Sequence, residues 1–104
     1  MRLTRAERDK TAREFEENLQ RSGLTFDELR DLTGLSESRF IKAFLVMERG
    51  TDPADIWLIR DLLENAVRHK GIDPVPFTVL PEENRDDNAQ QFETLYRHRT
   101  HIAA

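Results

Sequence analysis

The positions of the four glycines constrain the fold of this chain more than any other feature of its sequence. Each glycine lies between segments that have helical periodicity, and none interrupts such a segment. Glycine is favoured just beyond helix ends because it adopts the left-handed backbone conformation without steric cost. The spacing therefore predicts four helices in the first seventy residues, at about residues 4–21, 25–33, 36–47 and 52–70.

Each predicted helix begins at a residue that can cap it. Thr4 and Thr25 are each followed three residues later by a glutamate, which is the spacing of a capping box. Ser36 can cap the third helix, and Asp52 precedes Pro53, which is tolerated at the first helical position. Helical spacing then predicts the apolar residues of the buried sides: Ala12, Phe15 and Leu19; Leu29 and Leu32; Phe40 and Phe44; and Ile56, Ile59, Leu63 and Val67.

The character of the sequence changes at residues 74–81, where three prolines exclude a helix. Val75, Phe77 and Val79 alternate with other residues across this segment. That alternation predicts an extended or edge-strand segment with one buried face.

The last part of the chain is the most acidic, because residues 72–104 carry three basic and six acidic side chains. Residues 89–99 include Phe92, Leu95 and Tyr96, and they could form a last helix or remain mobile. We therefore expect one domain at residues 1–80, followed by an acidic linker and a mobile or helical tail at residues 81–104.

The second and third predicted helices form a recognisable unit with the turn between them, at residues 25–41. Gly34 permits a tight reversal, Leu35 plugs the angle between the helices, and Ser36 caps the second of them. The segment resembles the helix-turn-helix of phage-repressor-like DNA-binding domains, in which apolar residues stand at the places of Leu29, Leu35 and Phe40. The resemblance implies a mainly α, phage-repressor-like helix-turn-helix bundle, with the motif at about residues 25–46, a short extended segment and a C-terminal tail.

The outward face of the third helix is the part of the motif that the resemblance assigns to DNA. At about 100° per residue, the residues opposite the buried phenylalanines are Ser38, Arg39, Lys42, Val46 and Arg49. They include three positive charges and no acidic side chain. The resemblance places base contacts at Glu37, Ser38 and Lys42, while Arg39 suits a guanine edge or a phosphate. The structural alternative is a solvated basic face on a small helical bundle.

A wider resemblance covers roughly residues 5–80. The long-helix sequence that begins at Asp52-Pro53 and the later Pro-Val-Pro-Phe-Thr run at residues 74–78 are similar to a family of small bacterial proteins of unknown function. Those proteins pair this helix-turn-helix with a long helix and a Pro-Val-Pro-Phe-Thr segment. The resemblance implies the fold but transfers no activity.

Composition limits the classes of function that are open to the chain. With 104 residues, of which 38% are hydrophobic and 35% charged, one small domain is expected, with little room for an enzyme's walled pocket. Cysteine is absent, which excludes disulfides and thiolate zinc sites. No apolar run approaches about 18 residues and the N-terminus is charged at once, so we expect no membrane span, no signal peptide and a cytoplasmic location.

No catalytic or cofactor-binding constellation stands out. The sequence has neither a Gly-x-Ser-x-Gly elbow nor a phosphate-binding glycine-rich loop, so we expect no catalytic residues and no cofactor. His98 and His101 are three residues apart with Glu93 upstream, but this spacing alone is a weak indication of a metal site. A surface pair is the simpler interpretation, and no metal is expected.

The sequence favours a DNA-binding transcriptional regulator that does not act as an enzyme. A net charge of −4 argues against strong nonspecific polyanion binding, but it allows a basic patch on one helix. We expect a homodimer that inserts the third helix into the major groove of double-stranded DNA, since helix-turn-helix proteins commonly bind paired half-sites.

The alternative is a protein–protein interaction module that has the helix-turn-helix fold and does not bind DNA. The net charge of −4, the acidic last third of the chain, and Phe26 and Arg30 at positions where the sequence departs from the resembled motif all motivate it. Trp57 motivates it as well, because this residue shares a stripe of the fourth helix with Asp61, Glu64 and Arg68. Either the loop or the proline-rich segment covers Trp57, or the indole is exposed as a partner interface. In the second case the interaction surface would be the long helix with residues 74–80.

Overall fold

The computed structural model describes residues 3–82 of the chain. They form four α-helices: α1 (Arg5–Ser22), α2 (Phe26–Thr33), α3 (Glu37–Phe44) and α4 (Pro53–His69). No strand is present among these residues. This part of the protein is therefore mainly helical, as the glycine spacing predicts, and α1, α2 and α4 match their predicted bounds closely.

The predicted caps are present at the helix starts. Thr4 Oγ1 accepts a hydrogen bond from the Glu7 N–H at 3.1 Å, and Glu7 Oε1 accepts one from the Thr4 N–H at 2.8 Å. Thr25 caps α2 with the same reciprocal arrangement. At the start of α4, Asp52 Oδ1 accepts a bond from the Ala54 N–H at 2.9 Å. These bonds satisfy backbone N–H groups that have no partner inside the helix, so local sequence sets where these helices begin.

Helix α4 is the centre of the fold, and each of the other three helices packs against it. It is buried on more sides than a single apolar stripe predicts. The predicted core residues Ile56, Ile59, Leu63 and Val67 are all buried, and Asp55, Trp57, Leu58 and Arg60 are buried as well. The burial of two charged residues on this helix requires partners within the fold.

Trp57 belongs to this core. Its side chain is only 3% exposed, and the Arg60 guanidinium lies over its ring at 5.5 Å from the centroid. The expectation that Trp57 marks an exposed partner interface is therefore wrong. The same guanidinium also lies over the ring of Phe77, at 4.7 Å from its centroid, so Arg60 separates Trp57 from the segment after α4.

An aromatic cluster joins α1, α2 and α3. Phe40 and Phe44 are buried as predicted, with their ring centroids 5.8 Å apart. Phe15 of α1 contacts Phe44 at 6.1 Å. Phe26, at the start of α2, is partly exposed but stacks edge-on against both rings, at 4.8 Å from Phe40 and 5.2 Å from Phe44. Edge-on aromatic pairs add to the stability that area burial provides, so this cluster fixes α3 in its place.

Helix α3 ends three residues earlier than predicted. The reason is Val46, which has a φ of 52° and is the only non-glycine residue with positive φ among residues 3–82. The chain leaves the helix there, and the Met47 N–H bonds back to the Lys42 carbonyl at 2.9 Å. Val46 is buried rather than outward-facing as predicted, while Leu45 and Met47 are exposed. Burial of the Val46 side chain offsets the cost of a left-handed β-branched residue.

Leu32 is also placed differently from its prediction. The buried side of α2 consists of Leu29 and Thr33, whereas the Leu32 side chain is 57% exposed. Helix α2 has only eight residues, and Leu32 lies at the margin of its buried stripe. It borders an apolar groove that Leu24 and Leu62 also line.

Residues 73–80, which we call the strap, follow α4 and pack across α1 and α4. Phe77 is buried and Val75 and Val79 are partly buried, as the alternation predicts, whereas Leu80, which the alternation does not include, is buried as well. Four side chains of the helices bond to the strap: Arg21 to the Asp73 carbonyl, Asn18 to both backbone groups of Val75, Glu14 to Thr78, and Arg60 to the Leu80 carbonyl. Buried polar groups therefore find their partners in the strap.

The predicted tail lies outside the described residues, except for its first two positions. In the part of the chain from residue 3 to residue 82, no helix combines the length and the apolar character that a membrane crossing requires.

Candidate nucleic-acid interface

The turn between α2 and α3 has the features that the sequence predicts for it. Gly34 adopts a φ of 69°, and its N–H bonds to carbonyls of the last turn of α2. Leu35 is buried behind the turn, and Ser36 Oγ accepts a bond from the Arg39 N–H at 3.2 Å. A side chain at Gly34 would be strained at this positive φ. The turn therefore directs α3 across the core and leaves one side of α3 facing solvent.

The predicted contact residues are found on this exposed side. Glu37, Ser38 and Arg39 are exposed in the first turns of α3, and Lys42 is partly exposed one turn later. Arg49 is exposed as well, but it lies in the loop beyond the earlier end of the helix. The structure thus places four of the five residues on one short helix and the fifth on the loop that follows.

The loop after α3 folds back beside Lys42. Two groups of the loop bond to the Lys42 carbonyl: the Met47 N–H at 2.9 Å and Thr51 Oγ1 at 3.4 Å. The Lys42 side chain lies against Gly50: a Cβ atom added to this glycine would be 3.2 Å from Lys42 Nζ. Because Gly50 follows Arg49 directly, Arg49 is held on the loop that contacts Lys42.

Arg39 is anchored to the start of α4. Its Nε donates to Asp55 Oδ2 at 3.1 Å, and its Nη2 donates to Asp55 Oδ1 at 2.9 Å. The Asp55 side chain is 3% exposed, whereas that of Arg39 is 50% exposed. Asp55 lies in the first turn of α4, where a carboxylate also interacts favourably with the helix dipole. The pair holds the guanidinium in one place while half of the side chain stays open to solvent.

Asp55 was not expected at this site. The prediction of a face without acidic side chains considered the third helix alone, and Asp55 comes to it from α4. In the sequence, Asp55 has the position of an ordinary first-turn carboxylate of a helix. Its pairing with Arg39, sixteen residues away, depends on how α3 crosses α4, which no local pattern specifies.

Other candidate positions do not add to this site. Trp57 is in the core, and His98, His101 and Glu93 lie outside the described residues. Among residues 3–82, no group of three or more His, Asp or Glu side chains is arranged to hold a metal ion.

These features define a small, mainly helical protein with an exposed, mixed-charge face on α3. The chain belongs to a bacterial family, described as uncharacterized protein conserved in bacteria (DUF2316), whose model matches residues 1–92. This confirms the expected membership of an uncharacterised bacterial family. No curated protein and no solved structure matches the chain.

Proposed function

We propose that this protein is a DNA-binding transcriptional regulator and that α3 is its recognition helix. The observation that carries the proposal is the Arg39–Asp55 pair. A buried carboxylate holds an arginine that remains half exposed on the outer side of α3. Fixing a long side chain in advance lowers the entropy lost when it binds a ligand.

The geometry of the pair leaves Arg39 able to bind an acceptor. The bonds to Asp55 use the edge of the guanidinium formed by Nε and Nη2. The other edge, formed by Nη1 and the second N–H of Nη2, has the spacing for a bidentate contact. Such a contact fits a guanine O6 and N7 or two phosphate oxygens. Asp55 is then a positioning residue for Arg39 and does not itself contact DNA.

The neighbouring residues have distinct roles in this proposal. Ser38 and Glu37, in the first turn of α3, are base-contacting residues, since a hydroxyl suits several base edges and a carboxylate accepts from cytosine N4. Lys42 contacts a base or a phosphate. Arg49, on the loop, contacts the phosphate backbone, which fixes the register of the protein on the duplex.

The net charge of −4 is compatible with this role if binding depends on few phosphate contacts. The acidity is concentrated in residues 72–104, away in sequence from α3. Nonspecific affinity rises with the number of phosphates neutralised. We therefore expect weak nonspecific binding, and a large share of the specific affinity from base contacts, in a cytoplasmic protein that encounters the bacterial chromosome directly.

A homodimer is part of the proposal, and the apolar groove beside Leu32 is the surface that fits it. The groove is lined by the apolar residues Leu24, Leu32, Leu62 and Ala66 and by the polar residues Ser22, Asn65, His69 and Lys70. Asp31, next to Leu32, is exposed. In a two-fold pair, α2 of one copy enters the groove of its partner, and Asp31 meets the basic end of α4. Exposed apolar residues beside a groove are typical of such interfaces.

A protein-interaction module that does not bind DNA is the other candidate. The exposure of Leu32 is the observation that favours it. The surface expected for such a module is the long helix with residues 74–80. Trp57 of that helix is buried in the core, and the backbone groups of Val75 in the strap are hydrogen-bonded to Asn18. DNA binding is therefore the better-supported proposal.

Selection from pooled genomic DNA fragments at low salt tests the proposal. We expect the parent protein to enrich a defined sequence and the Lys42→Ala/Arg49→Ala variant to lose that enrichment. A Lys10→Ala/Arg13→Ala variant removes two charges from α1, on another part of the surface, and should behave as the parent. No enrichment by the parent, or equal enrichment by the Lys42→Ala/Arg49→Ala variant, would overturn the proposal in favour of a protein partner.

A further inference from the structure

A cleft of about 240 Å³ lies between the start of α1, the start of α4 and the loop after α3. Five of the eight residues that line it are apolar, namely Leu3, Val46, Met47, Pro53 and Ile56, although polar atoms make up slightly more than half of the lining surface. The polar residues that line it are Arg8, Glu48 and Thr51. A cleft that combines apolar side chains with a few convergent polar groups is typical of a small-molecule site.

Arg8 is the residue that gives the cleft its chemistry. Its side chain is 20% exposed, and its Nη1 donates to the Leu3 carbonyl at 2.8 Å. Its Nη2 lies 3.6 Å from Glu48 Oε2, which is beyond hydrogen-bond distance, and the Glu48 side chain is 73% exposed. The guanidinium is therefore shielded from water but only loosely neutralised.

We propose that this cleft binds a small monocarboxylate with an apolar body. A guanidinium forms its best contact with a carboxylate through two parallel hydrogen bonds. A single cation beside Glu48 disfavours a dianion such as phosphate, and the five apolar side chains of the lining can accommodate a hydrocarbon part. The ligand displaces Glu48 from Arg8 at little cost, because the 3.6 Å contact is long and the Glu48 side chain is mostly in solvent.

The cleft is directly connected to the end of α3. Met47 and Thr51, which line it, both bond to the Lys42 carbonyl. Val46, which also lines it, has the left-handed backbone that ends the helix. A bound ligand therefore restrains the loop that positions Lys42 and Arg49. An effect of the ligand on DNA affinity rests on the proposed function, whereas the binding site itself does not.

An NMR titration of the full chain with hexanoate tests the site, with hexanamide as the uncharged control. We expect saturable shifts of the amide signals of Arg8 and of residues 46–51, and at least about tenfold weaker binding of hexanamide, which lacks the charge that strengthens the contact with Arg8. Shifts that do not saturate, or equal binding of the two compounds, would overturn the inference.

Two substitutions with opposite expected effects sharpen the test. Arg8→Gln should weaken hexanoate binding by about tenfold or more. Glu48→Gln removes the competing carboxylate and should tighten binding by roughly two- to fivefold. Arg13→Gln, a change on the same helix at a residue that does not line the cleft, should leave it unchanged. If Arg8→Gln does not fold, the Glu48→Gln variant alone tests the site. Hexanoate binding by this variant that is equal to or weaker than that of the parent contradicts the site. A negative result for the carboxylate site does not change the outcome of the DNA selection, so the site and the DNA-binding function are tested independently.

Discussion

Arg39 on α3 and Asp55 on α4 are joined by two hydrogen bonds of 3.1 and 2.9 Å, although one side chain is half exposed and the other is 3% exposed. This asymmetry determines what each residue contributes. The arginine can exchange protein contacts for water, whereas the carboxylate cannot. Removing Arg39 therefore leaves a buried charge without this partner, while removing Asp55 frees a side chain that water can solvate.

A double-mutant cycle on this pair gives the first prediction. Arg39→Ala should lower the free energy of unfolding by about 1.5–3 kcal/mol, the range for a hydrogen bond to a charged group. Asp55→Ala should cost less in the Arg39→Ala background than in the parent, because the pair is already broken there. Urea denaturation measures both, with Arg49→Ala as the exposed control. A loss below about 0.5 kcal/mol for Arg39→Ala, typical of surface substitutions, would show that the pair does not fix Arg39.

The second prediction concerns the attachment of the strap to α1. Glu14 Oε2 accepts bonds from Thr78 Oγ1 at 2.6 Å and from the Thr78 N–H at 3.3 Å. Glu14 Oε1 is buried without a hydrogen-bond partner among the described residues. Thr78→Val should therefore cost about 1.5–3 kcal/mol, although Thr78 itself is exposed.

Thr78→Ser is the matched control for this prediction, because it keeps the hydroxyl that donates to Glu14. We expect Thr78→Ser to unfold in urea close to the parent. Equal effects of the two substitutions would mean that the methyl group, and not the hydrogen bond, is the source of the stability.

The third prediction separates backbone strain from burial at Val46. Both Val46→Ala and Val46→Gly remove the buried side chain, but only glycine relieves the positive φ. We expect Val46→Gly to be more stable than Val46→Ala by about 1 kcal/mol, in the range of the cost of a left-handed residue. At Ala12, inside α1, Ala12→Gly should instead cost about 1 kcal/mol. If thermal denaturation shows Val46→Gly to be less stable than Val46→Ala, the strained backbone is contradicted.

The fourth prediction concerns the proposed dimer. Leu32→Lys places a charge at the mouth of the apolar groove, so it should shift a dimer towards monomer in sedimentation experiments. Helical content should stay the same, because the Leu32 side chain is mostly exposed within one chain. Leu45→Lys, at another exposed leucine, is the control. A parent protein that is monomeric at high micromolar concentration would remove the dimer from the proposal.

Features encoded within a few neighbouring residues were predictable from the sequence. The reciprocal bonds between Thr4 and Glu7 follow from a spacing of three, and Asp52 with Pro53 specifies the start of α4. The alternation around Phe77 likewise indicated the correct buried face. In each case the physical cause and the sequence signal are the same short segment.

Features that depend on packing between elements were not predictable. Val46 ends α3 without a glycine because its side chain is buried. Trp57 is buried with Arg60 over its ring, and that guanidinium also lies over the Phe77 ring and binds the Leu80 carbonyl at 2.7 Å. Asp55 joins the candidate site from another helix. A helical wheel cannot show any of these relationships, since each needs the position of a second element.

The salt dependence of binding to an enriched duplex tests the central claim, that DNA contacts the exposed face of α3 and the loop that follows it, most directly. Fluorescence anisotropy measures the affinity at salt concentrations between about 50 and 200 mM. We predict that the parent binds a scrambled duplex at least about tenfold more weakly than the enriched one. For Arg49→Ala we predict that the slope of log K against log salt is smaller in magnitude than that of the parent by about 0.9, which corresponds to one phosphate contact. Equal affinity for both duplexes, together with an unchanged slope for Arg49→Ala and for Lys42→Ala, would contradict the claim.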